Sequence, residues 1–320
     1  QEQGAPSEYK LARHQPTATA GGAAKFSLGM NMDAFPHWNA TEDYFKADVD
    51  FATTSNPWKD VVVDELKNFD CIRCMKLSGA GGGINSGITR WTDRQTKTNQ
   101  SQHAVYGKTN HTAYEWQILL ATLADADLWT NVPPGAISAE DSGKLADFPL
   151  RLAILIKTGV DTFDLDLKSH LSSLSSLTAD DFVRMGGKKT IEPLPDKRKI
   201  YVEYGNERWL EGWNSSQTQG LALNLTMKTK WGTRTDGHLF DAWAQIQIWR
   251  AMHAVFGKDS PRVFRLCAGQ SVSTYVTKAH LSIVDDPQWN PEGFELMGYA
   301  IAPYAPQGAA TRNITEVSQL

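Results

Sequence analysis

Lys199-Ile-Tyr-Val-Glu-Tyr-Gly-Asn-Glu-Arg-Trp209 is an apolar, strand-like run that ends in a glycine, an amide, a carboxylate and an aromatic ring. A stretch of β-forming residues that gives way to turn chemistry reads as a strand entering a loop. Five further runs have the same character, at 26–32, 71–77, 127–132, 263–268 and 296–302. Between them lie segments with helical spacing, at 58–68 after Asn56-Pro57, 113–124, 148–157 and 240–256. In the last, Phe240, Trp243, Ala244, Ile248, Ala251 and Val255 recur at intervals that place them on one buried face, and Gly257 supplies a stop.

Short apolar strands alternating with helices predict an α/β chain with a parallel sheet. The strand-to-strand spacing of roughly 54 residues is that of a decorated (β/α) TIM-type barrel. Residues 1–25 read as an extended N-terminal arm and 26–320 as the barrel domain, with 159–177 an insertion before the fourth strand. Eight strands would need roughly 100 further residues. The expectation is therefore a barrel without its last one or two βα units, completed by a further polypeptide segment or chain.

With 320 residues, 41% of them apolar and 21% charged, the chain can bury a large core. A net charge of −4 offers no basic stripe, which argues against nucleic acid and anionic lipid as partners. No 18-residue apolar run is present, so no membrane span is expected. Asn39, Asn99, Asn110, Asn214, Asn224 and Asn313 each stand in Asn-X-Ser/Thr, against about two such sites by chance. Those six sequons, with a start at Gln1, point to a processed, secreted, extracellular glycoprotein. Cys71, Cys74 and Cys267 are too few for a disulfide framework, and in a strand Cys71 and Cys74 would sit about 10 Å apart. Buried free thiols are expected.

The end of the 199–205 strand carries the chemistry. In a (β/α) barrel the C-terminal strand ends open onto the active face. Cleaving a glycosidic bond needs a proton for the leaving oxygen, a hydrogen bond to the neighbouring sugar hydroxyl and commonly an aromatic platform. Glu207, Asn206 and Trp209 offer these in order. Trp129, Asn131 and Tyr304 fall at the ends of the third and sixth strands, where residues line such a pocket. Each has a plainer reading: Glu207 as a loop cap or partner of Arg208 or Arg73, Trp209 and Trp213 as core walls.

The Asn206-Glu207 pair resembles the hallmark of clan A glycoside hydrolases, the retaining (β/α)8 glycosidases, which carry Asn-Glu at the end of the fourth strand. Phe69-Asp-Cys-Ile-Arg-Cys-Met75 resembles the clan's second strand, whose arginine sits near the catalytic carboxylates. The chain is also similar to a group of secreted cellulase-like proteins in Leu28-Gly-Met-Asn31, Trp91-Thr-Asp-Arg94, Leu128-Trp-Thr-Asn-Val-Pro133, Tyr201-Val-Glu-Tyr-Gly-Asn-Glu-Arg-Trp209 and Ile301-Ala-Pro-Tyr304. The resemblance implies a β-linked polysaccharide or oligosaccharide as substrate, Glu207 as acid/base, Asn206 on the sugar 2-hydroxyl and Arg73 beside the nucleophile. The clan's nucleophile follows its seventh strand, which this chain does not show. Glu203 has the same strand parity as Glu207 but a straight strand puts it about 13 Å below, and Glu115 opens a helix where it serves the dipole. Neither is assigned as nucleophile. The rival expectation is a catalytically silent barrel, a structural or carbohydrate-binding part of an extracellular assembly.

No cofactor or metal site is expected. His37, His103, His111 and His238 lack ligand spacing and read as solvated loop histidines. Gly79-Ala-Gly-Gly-Gly83 lacks the Gly-Lys-Ser/Thr ending of a phosphate loop and reads as a loop over the sheet end.

Overall fold

The computed structural model describes residues 12–13, 28–31, 44–75, 77–79, 87–102, 111–163, 165–208, 213–230, 232–270 and 273–302. The strands are β1 (Ala12–Arg13), β2 (Leu28–Asn31), β3 (Cys71–Arg73), β4 (Asp127–Val132), β5 (Val160–Asp161), β6 (Lys188–Lys189), β7 (Ile200–Tyr204), β8 (Met227–Thr229), β9 (Gly232–Arg234), β10 (Val263–Phe264), β11 (Leu266–Gln270) and β12 (Gly298–Ala302). The helices are α1 (Asp60–Leu66), α2 (Tyr114–Leu123), α3 (Asp147–Thr158), α4 (Ala179–Arg184), α5 (Trp213–Ala222), α6 (Gly237–Phe256) and α7 (Thr274–Val284).

The main sheet runs β1-β2-β3-β4-β7-β10. From β2 onward every pairing is parallel, and β1, within the N-terminal arm, adds to β2 in antiparallel fashion. Only Arg265 separates β10 from β11, which pairs in parallel with β12. The six expected strands are thus all parallel and neighbour one another in chain order. The chain is α/β. The pairs β5–β6 and β8–β9 are antiparallel ribbons outside this sheet, and β5 begins the segment read as an insertion.

Side-chain alternation sorts the sheet into two faces. Leu128, Thr130 and Val132 of β4 are in register with Ile200, Val202 and Tyr204 of β7, and all six are buried. Thr130 donates to Gln117 of α2 at 2.7 Å, while the Tyr204 ring meets Phe240 of α6 at 6.2 Å. These two crossover helices therefore cover the same face, and α3 packs against both. A doubly wound sheet would place helices on both faces. The opposite face carries Arg73, Trp129, Asn131, Tyr201 and Glu203.

Local chemistry sets the helix limits. Asp236 accepts the His238 N–H at the start of α6, and Gly257 at its end has φ 93°. Gly159 closes α3 at φ 70°, and a Cβ there would lie 1.9 Å from the Ile191 carbonyl oxygen. The sequence pattern assigned α6 one buried face. The structure buries it almost all round, Asp241, Gln245 and Gln247 included, because α6 touches β7, β10 and β11 as well as α3, α5 and α7.

One departure from regular pairing shapes the sheet end. β10 follows β7 only through Val263↔Ile200 and Phe264↔Tyr201, after which β11 turns to β12. The β7 backbone beyond Tyr201 needs other partners on this side, since buried peptide groups are costly when unpaired. Gln245 supplies them from α6: its Nε2 donates to the Val202 carbonyl at 2.8 Å, and its Oε1 accepts the Tyr204 N–H at 2.9 Å. A side-chain amide stands in for a strand and leaves a gap between β7 and β11.

All three cysteines are free and buried, as the strand geometry predicts. Among the described residues no helix is long and apolar enough to cross a membrane.

Candidate functional site

At the C-terminal end of β7 the chain turns sharply. Gly205 has φ 60°, and a Cβ on it would fall 2.5 Å from Arg208 Cδ and 3.1 Å from Pro134 Cγ. Its carbonyl accepts from Asn131 Nδ2 at 2.5 Å and its N–H reaches the Val132 carbonyl at 2.9 Å. Glu207, two residues on, is half-buried with φ 46°, a conformation that costs a non-glycine residue about 1–2 kcal/mol. Such strain persists where surrounding structure over-determines it, commonly at functional sites.

Arg73 joins the turn to the polar sheet face. Its guanidinium donates to Glu203 Oε2 at 2.8 and 3.2 Å and to Asn206 Oδ1 at 2.9 Å. Trp129 Nε1 donates to the same Glu203 oxygen at 3.0 Å. The Trp129 ring is flanked in register by Arg73, 5.2 Å from its centroid, and by Tyr201, stacked at 5.8 Å. Arg73, Trp129, Glu203 and Asn206 thus form one connected cluster. Arg73 holds Asn206 Oδ1, an orientation that leaves the Asn206 Nδ2–H able to donate to a ligand hydroxyl.

The sequence-derived candidates fall into three sets. Arg73, Trp129 and Asn206 join through Glu203 and Arg73, and Glu207 follows Asn206 in the turn and lines a cavity with Glu203. Asn131 is fully buried, so its place is beneath the turn, holding the Gly205 carbonyl, rather than at an open surface. Trp209 and Tyr304 lie outside the described residues, as do Asn39, Asn110 and Asn313. Asn99 and Asn224 are exposed, and Asn214 lies in the first turn of α5.

Two expectations need correction. A straight strand separated Glu203 from Glu207, yet the turn at Gly205 folds back and both line one cavity of about 20 Å³, with Tyr204, Gln245, Cys267 and Ala268. Of the four histidines read as solvated, two are buried: His111 fully, its Nε2 accepting the Gln95 N–H at 2.9 Å, and His238, 6% exposed at the start of α6, while His37 and His103 lie outside the described residues. Burial lowers the His111 pKa to about 4. Glu115 does open α2, but it is fully buried against Arg94 at 3.3 Å, which also binds Asp161 at 2.7 Å. Burial raises the Glu115 pKa and Arg94 opposes that rise.

The same cavity brings together His238, Asp241 and His280, whose candidate ligand atoms all lie within 4.8 Å of one another. Sequence reading missed this cluster. His238 and Asp241 share a helical turn, but His280 comes from α7, and no ligand motif joins them.

Comparison with known proteins finds partial likenesses only. The GH51 arabinofuranosidase from Xanthomonas axonopodis pv. citri superposes with a TM-score of 0.42 over 81% of this chain at 14% identity. AbfB, a family 51 alpha-L-arabinofuranosidase from Bifidobacterium longum, gives 0.44 over 85% at 14% identity. The alpha-L-arabinofuranosidase from Thermotoga maritima gives 0.38 over 79%, again at 14%. The chain spans 41%, 43% and 39% of those structures, less than half of each. No family model matches the chain, and no curated protein matches it in sequence. At these scores the likeness transfers neither an activity nor a barrel, and the α/β assignment rests on the chain's own sheet.

Proposed function

We propose that the parallel sheet is the arc of a (β/α) barrel and that the protein is a secreted glycoside hydrolase acting on β-linked polysaccharide or glycan. The observation that carries this reading is the Asn206–Glu207 turn at the C-terminal end of β7, anchored through Arg73 to Glu203 and Trp129. Glu207 serves as acid/base. It gives a proton to the glycosidic oxygen as that bond breaks, then takes one from the water that attacks the anomeric carbon. Asn206 donates Nδ2–H to the sugar 2-hydroxyl, a bond that strengthens as charge develops at the neighbouring carbon.

A retaining mechanism needs a second carboxylate about 5–5.5 Å from the first. Glu203 is a poor choice: three donors already share its Oε2, and hydrogen bonding of this kind lowers a carboxylate's nucleophilicity. The nucleophile comes from a further segment that continues the sheet. Among the described residues β12 pairs with β11 alone, and its Ile301 is 56% exposed. The sequons, with Asn99 and Asn224 exposed, support secretion and glycosylation.

A panel of β-glycans assayed for new reducing ends, with wild type and Glu207→Gln in parallel, tests the reading. Hydrolysis by the wild type and its loss in the variant is the expected result. A second reading has its own support: the cavity beside Glu207 holds about 20 Å³, room for about one water, and the Trp129 ring is flanked on both strands. In that reading the protein is a silent barrel in an extracellular assembly, and the panel yields oligosaccharide binding without turnover.

A further inference from the structure

The cavity behind the Asn206–Glu207 turn has features unrelated to sugar chemistry. His238, Asp241 and His280 are each no more than 6% exposed. His280 Nδ1 is held by the Tyr299 hydroxyl at 2.8 Å, while its Nε2 is buried without a hydrogen-bond partner among the described residues. A buried ring nitrogen left unpaired has lost its hydration without a replacement. Its surroundings therefore call for a further group in the cavity that these residues line.

We propose that His238, Asp241 and His280 bind a divalent transition-metal ion of the zinc type. Two imidazoles and one carboxylate are a donor set for such ions, with water completing a tetrahedron. His238 Nδ1 and Asp241 Oδ2 are 3.8 Å apart and no pair of candidate ligand atoms exceeds 4.8 Å. Ligand atoms about 2.1 Å from one tetrahedral ion stand roughly 3.4 Å apart, so a pair at the 4.8 Å limit closes by roughly 1.4 Å on binding. The about 20 Å³ available has room for one small occupant such as a single ion.

The outer partners have the arrangement that metal-binding histidines commonly show, with the second ring nitrogen fixed. Tyr299 fixes the His280 ring in this way, while for His238 it is the backbone N–H that Asp236 holds, at 3.0 Å. Asp241 Oδ1 accepts from Ser216 at 2.7 Å, and Arg208 lies 3.6 Å from the same oxygen. The Arg208 cation opposes metal entry, and Glu207 and Glu203, which line the cavity, offset it. The ion ties the start of α6 to α7 and, through Asp241, Ser216 and Arg208, to the turn that carries Glu207. This inference does not depend on the carbohydrate reading.

The full chain, stripped with chelator and dialysed, is titrated with Zn2+ against a chromophoric competitor, and X-ray absorption is recorded at one equivalent. One tightly held ion with imidazole scattering is expected. Tyr299→Phe removes an outer-shell partner and weakens binding roughly 10–100-fold. His280→Ala and Asp241→Asn weaken it further, while their metal-free unfolding curves stay close to that of the stripped wild type. Absence of a retained equivalent in the wild type, or equal affinity in the folded His280→Ala and Asp241→Asn chains, overturns the proposal. If His280→Ala does not fold, Asp241→Asn and the wild-type spectrum decide: a spectrum without imidazole scattering overturns it equally.

Discussion

Gly205 is the hinge on which the candidate site turns, because its φ of 60° and its contacts with Arg208 and Pro134 leave no space for a Cβ. Gly205→Ala should destabilise the fold by about 1–3 kcal/mol through backbone strain and crowding. Chemical denaturation measures the loss, and a variant as stable as the wild type would show the turn to be plastic. Arg73 acts differently. The Glu203 side chain is 3% exposed and depends on Arg73 for charge compensation, so Arg73→Met leaves a buried carboxylate unpaired at a cost of about 3–5 kcal/mol. Pairing the change with Glu203→Gln should recover part of that loss, a coupling a double-mutant cycle reads directly. Glu207, Asn206 and Arg73 were legible in the sequence because a strand ending in Gly-Asn-Glu is chemically loaded. Glu203, which a straight strand sets about 13 Å from Glu207, lines the same cavity because a glycine with positive φ ends that straightness.

Among the elements, β7 and α6 are the most closely coupled. Gln245 of α6 satisfies two β7 backbone groups, and Gln245→Leu leaves both unpaired in the interior, at about 1–3 kcal/mol for each. Hydrogen exchange at the Tyr204 amide should rise in the variant, and an unchanged rate would mean another group takes over. A second coupling holds the 87–102 segment to α2. His111 is neutral, its Nε2 accepting from Gln95 and its Nδ1 facing the Thr112 carbonyl. With a folded pKa lowered to about 4 against the ordinary 6.5, His111 takes up its proton more readily when unfolded. Its contribution is complete above about pH 6.5 and is lost as pH falls towards 4, at about 1.4 kcal/mol per unit. Unfolding free energy measured from pH 7 to 4.5 should fall less steeply in His111→Gln. All six parallel strands and the four helical segments that became α1, α2, α3 and α6 were readable from periodicity. The helices α4, α5 and α7 were not, since α5 reads Trp-Asn-Ser-Ser-Gln-Thr-Gln-Gly-Leu-Ala with little apolar period, and α4 has six residues.

For the whole molecule, the parallel strands in chain order and the crossover helices on one face are what give Glu207 its address at the C-terminal edge of the sheet. The buried thiols belong to the same core: burial pushes Cys71 and Cys267 upward in pKa. A thiol reagent should therefore find three cysteines only after denaturation, and prompt native labelling would contradict the packing. The sequons make a separate test, since native-source protein should lose mass on deglycosylation, and a bare polypeptide mass would remove the support for secretion. Which sugar the proposed site would take was not legible from the chain, because loop shape above the sheet decides it. The central claim is that Glu207 is the acid/base, and its most direct measurement compares the hydrolysis rates of a β-glycan and an activated aryl β-glycoside by wild type and Glu207→Gln, with and without azide. The account predicts that the variant loses the glycan reaction, whose leaving group needs a proton, but still accumulates glycosyl-enzyme from the aryl substrate and releases it as glycosyl azide. Undiminished glycan hydrolysis by Glu207→Gln would contradict it.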